Sequence, residues 1–117
     1  MARLIVEAEG TGGDAASQGV ARPGNQFPLY MVVSVTDSSG VPVTGLTAQD
    51  LRVDPIIVAA FGAGVTISSM GESHPGTYLV HVVPIPAGTW KLGRYIFWLA
   101  VTSGTDQGQT VCAVFVD

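Results

Sequence analysis

PLYMVVSVTDSSGVPVT, residues 28–44, decides the fold. Leu29, Met31, Val33 and Val35 alternate with Tyr30, Val32, Ser34 and Thr36, the period of two that sends successive side chains to opposite faces of a β-strand. The run stops where turn chemistry begins. Asp37 is placed to accept bonds from nearby backbone amides, Gly40 tolerates a left-handed backbone, and Pro42, with no amide hydrogen to give, suits an edge.

The same punctuation continues outward from this stretch. Gly and Pro recur throughout the chain, and the segments between them are rich in Val, Ile, Thr, Tyr and Phe. Strands are expected at 3–8, 28–37, 48–54 (preceded by a short edge piece at 41–44 and closed by Pro55), 64–70, 77–83, 92–102 and 109–116. Segments 71–76 and 103–108 read as hairpin loops. Seven short strands without helical periods between them predict an all-β sandwich or barrel. Residues 10–25 are Gly/Ala/Ser-rich and aperiodic, gain little from burial to offset ordering entropy, and read as a loop or arm.

Residues 33–53, VSVTDSSGVPVTGLTAQDLRV, resemble the strand-turn-strand signature V-x-V-x-D-x-x-G-x-P-V of bacterial immunoglobulin-like modules of invasin-type adhesins and macroglobulin-type domains. PGTYLV at 75–80 and GRYIF at 93–97 are similar to the G-x-Y starts of late strands in such modules. The resemblance implies an all-β, immunoglobulin-like antiparallel sandwich of about seven strands and makes Tyr95 a candidate tyrosine corner. It departs from antibody domains at Cys112, the lone cysteine, which has no partner for a disulfide.

Composition narrows the function. The 117 residues fit one domain. Charged residues are 12% of the chain, about half the roughly 25% usual in soluble domains. The net charge is −4, and Arg3, Arg22, Arg52, Lys91 and Arg94 are scattered, so no cationic patch for nucleic acid is expected. No run reaches the ~18 apolar residues of a membrane-spanning helix. The longest, 56–67, holds two glycines and reads as buried or partner-covered chain. Glu7 interrupts the N-terminus before a signal-peptide core develops, which suggests the cytoplasm, a particle assembled there, or export without a cleaved leader.

Chemistry-bearing residues are few. His74 and His81 lack the spacing that would place both on one metal ion. Asp37, Asp50, Asp54 and Asp106 offer oxygen ligands for calcium if they converge, but form no D-x-D-x-D run and each has a local role in turns or caps. Cys112 lies in an apolar run with nothing nearby to activate a thiol. Trp90, Trp98, Tyr30, Tyr78 and Tyr95 serve either as a sugar-stacking platform or as sandwich core. No catalytic, cofactor or metal-binding residue is expected.

The most informative pattern is excess. Segments 92–101 and 111–116 are apolar on both faces, whereas a two-layer sandwich needs only one apolar face per strand. One stripe therefore wants cover. Ile56, Ile57, Val58, Phe61, Ile96, Trp98, Val114 and Val116 are the expected interface, through which the chain joins identical copies or a structural protein partner in a phage, filament or shell. Three other readings stay open: residues 56–61 and 10–25 fold back over the stripe, the chain is an accessory domain recognising a glycan or cell-surface receptor, or it is a minor enzyme subunit lacking the active residues.

Overall fold

The structure is a computed structural model that describes residues 3–11, 21, 28–57, 64–85 and 88–116. Seven strands follow in order: β1 (Ile5–Thr11), β2 (Leu29–Thr36), β3 (Leu51–Ile57), β4 (Val65–His74), β5 (Thr77–Pro84), β6 (Gly93–Ser103) and β7 (Asp106–Val116), with a single 3-10 turn at Ala48–Asp50 before β3. They form a four-stranded sheet, β1-β2-β5-β4, and a three-stranded sheet, β3-β6-β7. All pairings within the two sheets are antiparallel. This division and strand order match the constant-type immunoglobulin sandwich.

Alternation builds the core. Leu29, Met31, Val33 and Val35 are all buried, and across the sandwich Tyr95, Phe97, Leu99 and Val101 face them from β6. The opposite parity is exposed or half-buried on both strands, as period two requires.

The 37–42 turn forms as its residues dictate. Asp37 Oδ1 accepts the amides of Ser39 at 2.8 Å and Val41 at 3.0 Å, and Gly40 has φ +85°. The expected edge piece at 41–44 reduces to one bridge, Thr36 with Pro42.

Several boundaries differ from expectation, and β3 begins at Leu51 because Ala48–Asp50 form the 3-10 turn. β3 runs through Pro55 to Ile57 instead of closing there, because β3 is an edge strand and its register slips between Pro55 and Ile57, where a missing amide hydrogen breaks no ladder bond. β4 continues to His74, leaving Pro75-Gly76 as the hairpin turn. β7 begins at Asp106, leaving Gly104-Thr105 as the other. In both hairpins cross-strand pairing overrides the turn preference of Gly, Ser and Gln.

β1 reaches Thr11, beyond the expected end at Ala8. Before it, Arg3 bridges Gln107 in parallel, and the Leu4 amide donates to the Gln107 carbonyl at 2.8 Å. Within the segment expected as a loop or arm, Ala21 is buried in the core; residues 12–20 and 22–25 lie outside the described residues.

Candidate functional site

Two surfaces carry what chemistry the chain offers, the outer face of β3-β6-β7 and the end of the sandwich around Glu72. On the first, cross-strand register fixes which residues point outward. Partners in an antiparallel pair share a face, so Tyr95 opposite Val114 and Phe97 opposite Cys112 draw Val114 and Cys112 inward with them.

Val114 and Val116 are therefore core residues, and the expectation that they form the interface is corrected. The outward residues of β7 are Val111 and Phe115, 57% and 59% exposed, with Ala113 between them, also exposed. Sequence parity alone could not distinguish the two sets, since both are apolar. On β6, Ile96 and Trp98 lie half-buried on this outer face, and on β3 Ile56 is 57% exposed. Val58, Phe61 and the Ile57 side chain lie outside the described residues.

Register draws these residues together: Ile96 stands opposite Ala113, Trp98 opposite Val111, and Arg94 opposite Phe115. The outer face of the other sheet is mixed by comparison. There exposed Val32 stands between Glu9 and Leu79, and Ser34 opposite Glu7.

At the Trp98 end the face turns polar. The indole Nε1–H donates to Gln109 Oε1 at 2.9 Å. Arg52 lies 5.8 Å from the Trp98 ring, and its Nε–H donates to Asp54 Oδ2 at 2.7 Å. A cleft of about 900 Å³ opens beside these groups. The sequence reading missed it, because its walls come from residues 3–6, 49–52, 98, 100–102 and 107–109, which only the sheet assembles. The visible signal was Gln107 and Gln109 sharing the period-two face of Val111 and Phe115, a face that changes from polar to apolar along one strand.

The aromatic residues divide rather than form a platform. Trp90, Tyr78 and Tyr95 are buried. Trp90 meets Tyr95 edge-on with centroids 5.2 Å apart, and the Lys91 amide donates to the Tyr95 hydroxyl at 2.9 Å. A tyrosine near the start of β6 bonded to backbone just upstream is the tyrosine-corner arrangement. Tyr30 lies on the outer face of the other sheet, against His81 at 4.6 Å.

Nor do the groups able to ligate or attack gather. His81 shares a hydrogen bond of 2.7 Å between Nδ1 and Ser69 Oγ, while His74 sits at the hairpin tip beside Ser73. Asp50 Oδ2 accepts from the amide and hydroxyl of Thr47, Asp37 caps its own turn, and Asp54 is paired with Arg52. No group of three or more His, Cys, Asp or Glu among the described residues is placed to hold a metal ion. Burial, and after it the negative charge of Glu9, push the Cys112 thiol up, opposite to what a nucleophilic thiolate requires.

The second surface is a latch. Glu72 Oε2 accepts the Gly76 amide at 3.0 Å, and Oε1 accepts that of Gly45 at 3.2 Å. Tyr78 donates its hydroxyl to the Val43 carbonyl at 2.7 Å and accepts the Leu46 amide at 3.1 Å. Together they tie the β2–β3 connection to the β4–β5 hairpin.

The Gly76 amide, and then that of Gly45, hold the Glu72 carboxyl below its ordinary value of 4.5. A carboxyl depressed in the folded state contributes stability that is complete above its unfolded pKa and is lost as pH falls through the folded one. Wild type is therefore expected to lose melting temperature as pH falls below 4.5, and Glu72→Gln to show a shallower loss. Thermal melts from about pH 6 to about pH 3 check this; parallel slopes for the two proteins would mean that Glu72 does not hold these amides in solution.

No known protein family model, curated protein or solved structure matches the chain, so its own residues define it: the described residues form an all-β, immunoglobulin-like sandwich of seven antiparallel strands.

Proposed function

We propose that this chain is a structural module that self-associates through the apolar half of the β3-β6-β7 outer face. The observation that carries the reading is the cluster of Ile96, Val111, Ala113 and Phe115, bounded by Trp98, on one side of one sheet. Contiguous exposed apolar surface marks interaction sites, and isolated exposed apolar residues do not.

Low charge supports the same reading. With 12% charged residues, little electrostatic repulsion opposes the approach of identical faces. A second copy is the simplest complement, since a two-fold contact matches an apolar patch with itself. Covering Phe115, 59% exposed, contributes at most about 1.5–3 kcal/mol before the entropy cost of association, and in a two-fold contact the residue counts on both sides.

Light scattering across a concentration series tests the proposal. Wild type is expected to form a discrete oligomer, and Phe115→Glu a monomer with unchanged circular dichroism and melting temperature. A wild-type monomer at every concentration would overturn it.

A further inference from the structure

Trp98 divides the outer face of β3-β6-β7 into two halves. On the side away from Phe115, the small side chain of Ala100 lies between Arg52 on β3 and Gln109 on β7, leaving the sheet open beneath larger neighbours. The cleft of about 900 Å³ occupies this space, with Gln49 at the β3 end and Arg3 and Gln107 at the β7 end. Its volume falls within the roughly 300–1,000 Å³ of small-molecule sites.

We propose that this cleft binds a saccharide bearing a carboxylate. Three features of the lining support that class. Gln49, Gln107 and Gln109 each present an amide with donors and an acceptor side by side, which suits the paired hydroxyls of a sugar ring. The Trp98 indole supplies a flat apolar surface for the ring's C–H face. Its bond to Gln109 Oε1 fixes the ring beforehand, so less order is lost when a ligand arrives.

Charge sets the ligand's sign. The protein carries −4 overall, yet two of its five basic residues, Arg3 and Arg52, line this cleft. The carboxylate among the lining residues, Asp50, already accepts two bonds from Thr47. The Asp54 contact engages Arg52 through Nε, and the guanidinium's remaining N–H groups suit a second carboxylate.

The test uses the whole chain labelled with nitrogen-15 and trigalacturonate as probe, read at the Trp98 indole Nε1–H resonance and assigned by its loss in Trp98→Phe. A saturable shift is expected at millimolar or lower probe. Arg52→Gln and the neutral trisaccharide of galactose should each weaken binding by about tenfold, the loss of one charge-assisted contact.

No saturable shift with trigalacturonate overturns the site. Equal affinity for the neutral sugar, or undiminished affinity in Arg52→Gln, overturns the requirement for a carboxylate. Phe115→Glu, which removes the proposed self-association surface, should retain the shift, so failure of the cleft and failure of the interface are read separately.

Discussion

Trp90→Ala is expected to lower the unfolding free energy by about 3–5 kcal/mol, the range for removing a large buried aromatic side chain. Trp90 is 1% exposed and stands edge-on against Tyr95, which stacks on Phe97 at 6.0 Å. Alanine would leave a void beside the Tyr95 hydroxyl that accepts the Lys91 amide. The backbone entering β6 is fixed there by the neighbouring strand and cannot close the gap. Urea unfolding followed by circular dichroism measures the loss. A change below about 1 kcal/mol would mean that the site collapses around alanine and that Trp90 does not anchor this end of the core.

Gly76→Ala should cost about 2–5 kcal/mol, through two separable causes. Gly76 has φ +77°, a conformation that costs an L-residue about 1–2 kcal/mol. An added Cβ would also lie 2.7 Å from Pro42 Cβ and 2.9 Å from the Val35 carbonyl oxygen, an overpacking that costs about 1–3 kcal/mol. The neighbouring bonds suffer with it, since the Gly76 carbonyl accepts the Val35 amide at 2.8 Å and its amide donates to Glu72. Gly104→Ala is the internal comparison: φ is +61° and nothing lies within 4 Å of its Cβ position. Gly104→Ala should show the backbone cost alone. Equal losses at the two positions in urea unfolding would mean that the contacts with Val35 and Pro42 contribute nothing.

The fold was legible because alternation and turn chemistry are local signals. Leu29, Met31, Val33 and Val35 declare one face within a single strand, and Asp37 with Gly40 declare the turn without reference to the rest of the chain. The strand ends at Ile57, His74 and Asp106 were not legible, because pairing to a partner strand outweighs a residue's own preference, and pairing is absent from local sequence. The outward face of β7 failed for a related reason. Val111, Ala113 and Phe115 compete on equal apolar terms with Cys112, Val114 and Val116, and only register against Tyr95 and Phe97 decides between them. The parity of β6 likewise left two choices, and burial of Tyr95, Phe97, Leu99 and Val101 is what leaves Ile96 and Trp98 on the outer side. The cleft beside Trp98 and the Glu72 latch join residues distant in sequence, so no motif spacing could announce them.

The bond from Leu4 to Gln107 has a consequence for how the molecule comes into being. It joins the residues before β1 to β7, so the entropy of closing a loop of about a hundred residues must be met before the contact returns anything. On a ribosome, β1 can pair with β2 early, but the residues that precede β1 have no seat until β7 has been synthesised and has left the tunnel. The newborn protein therefore waits with an unfinished seam between its sheets. That seam cannot close before β7 emerges, and once closed it ties the two sheets together along β1 and β7.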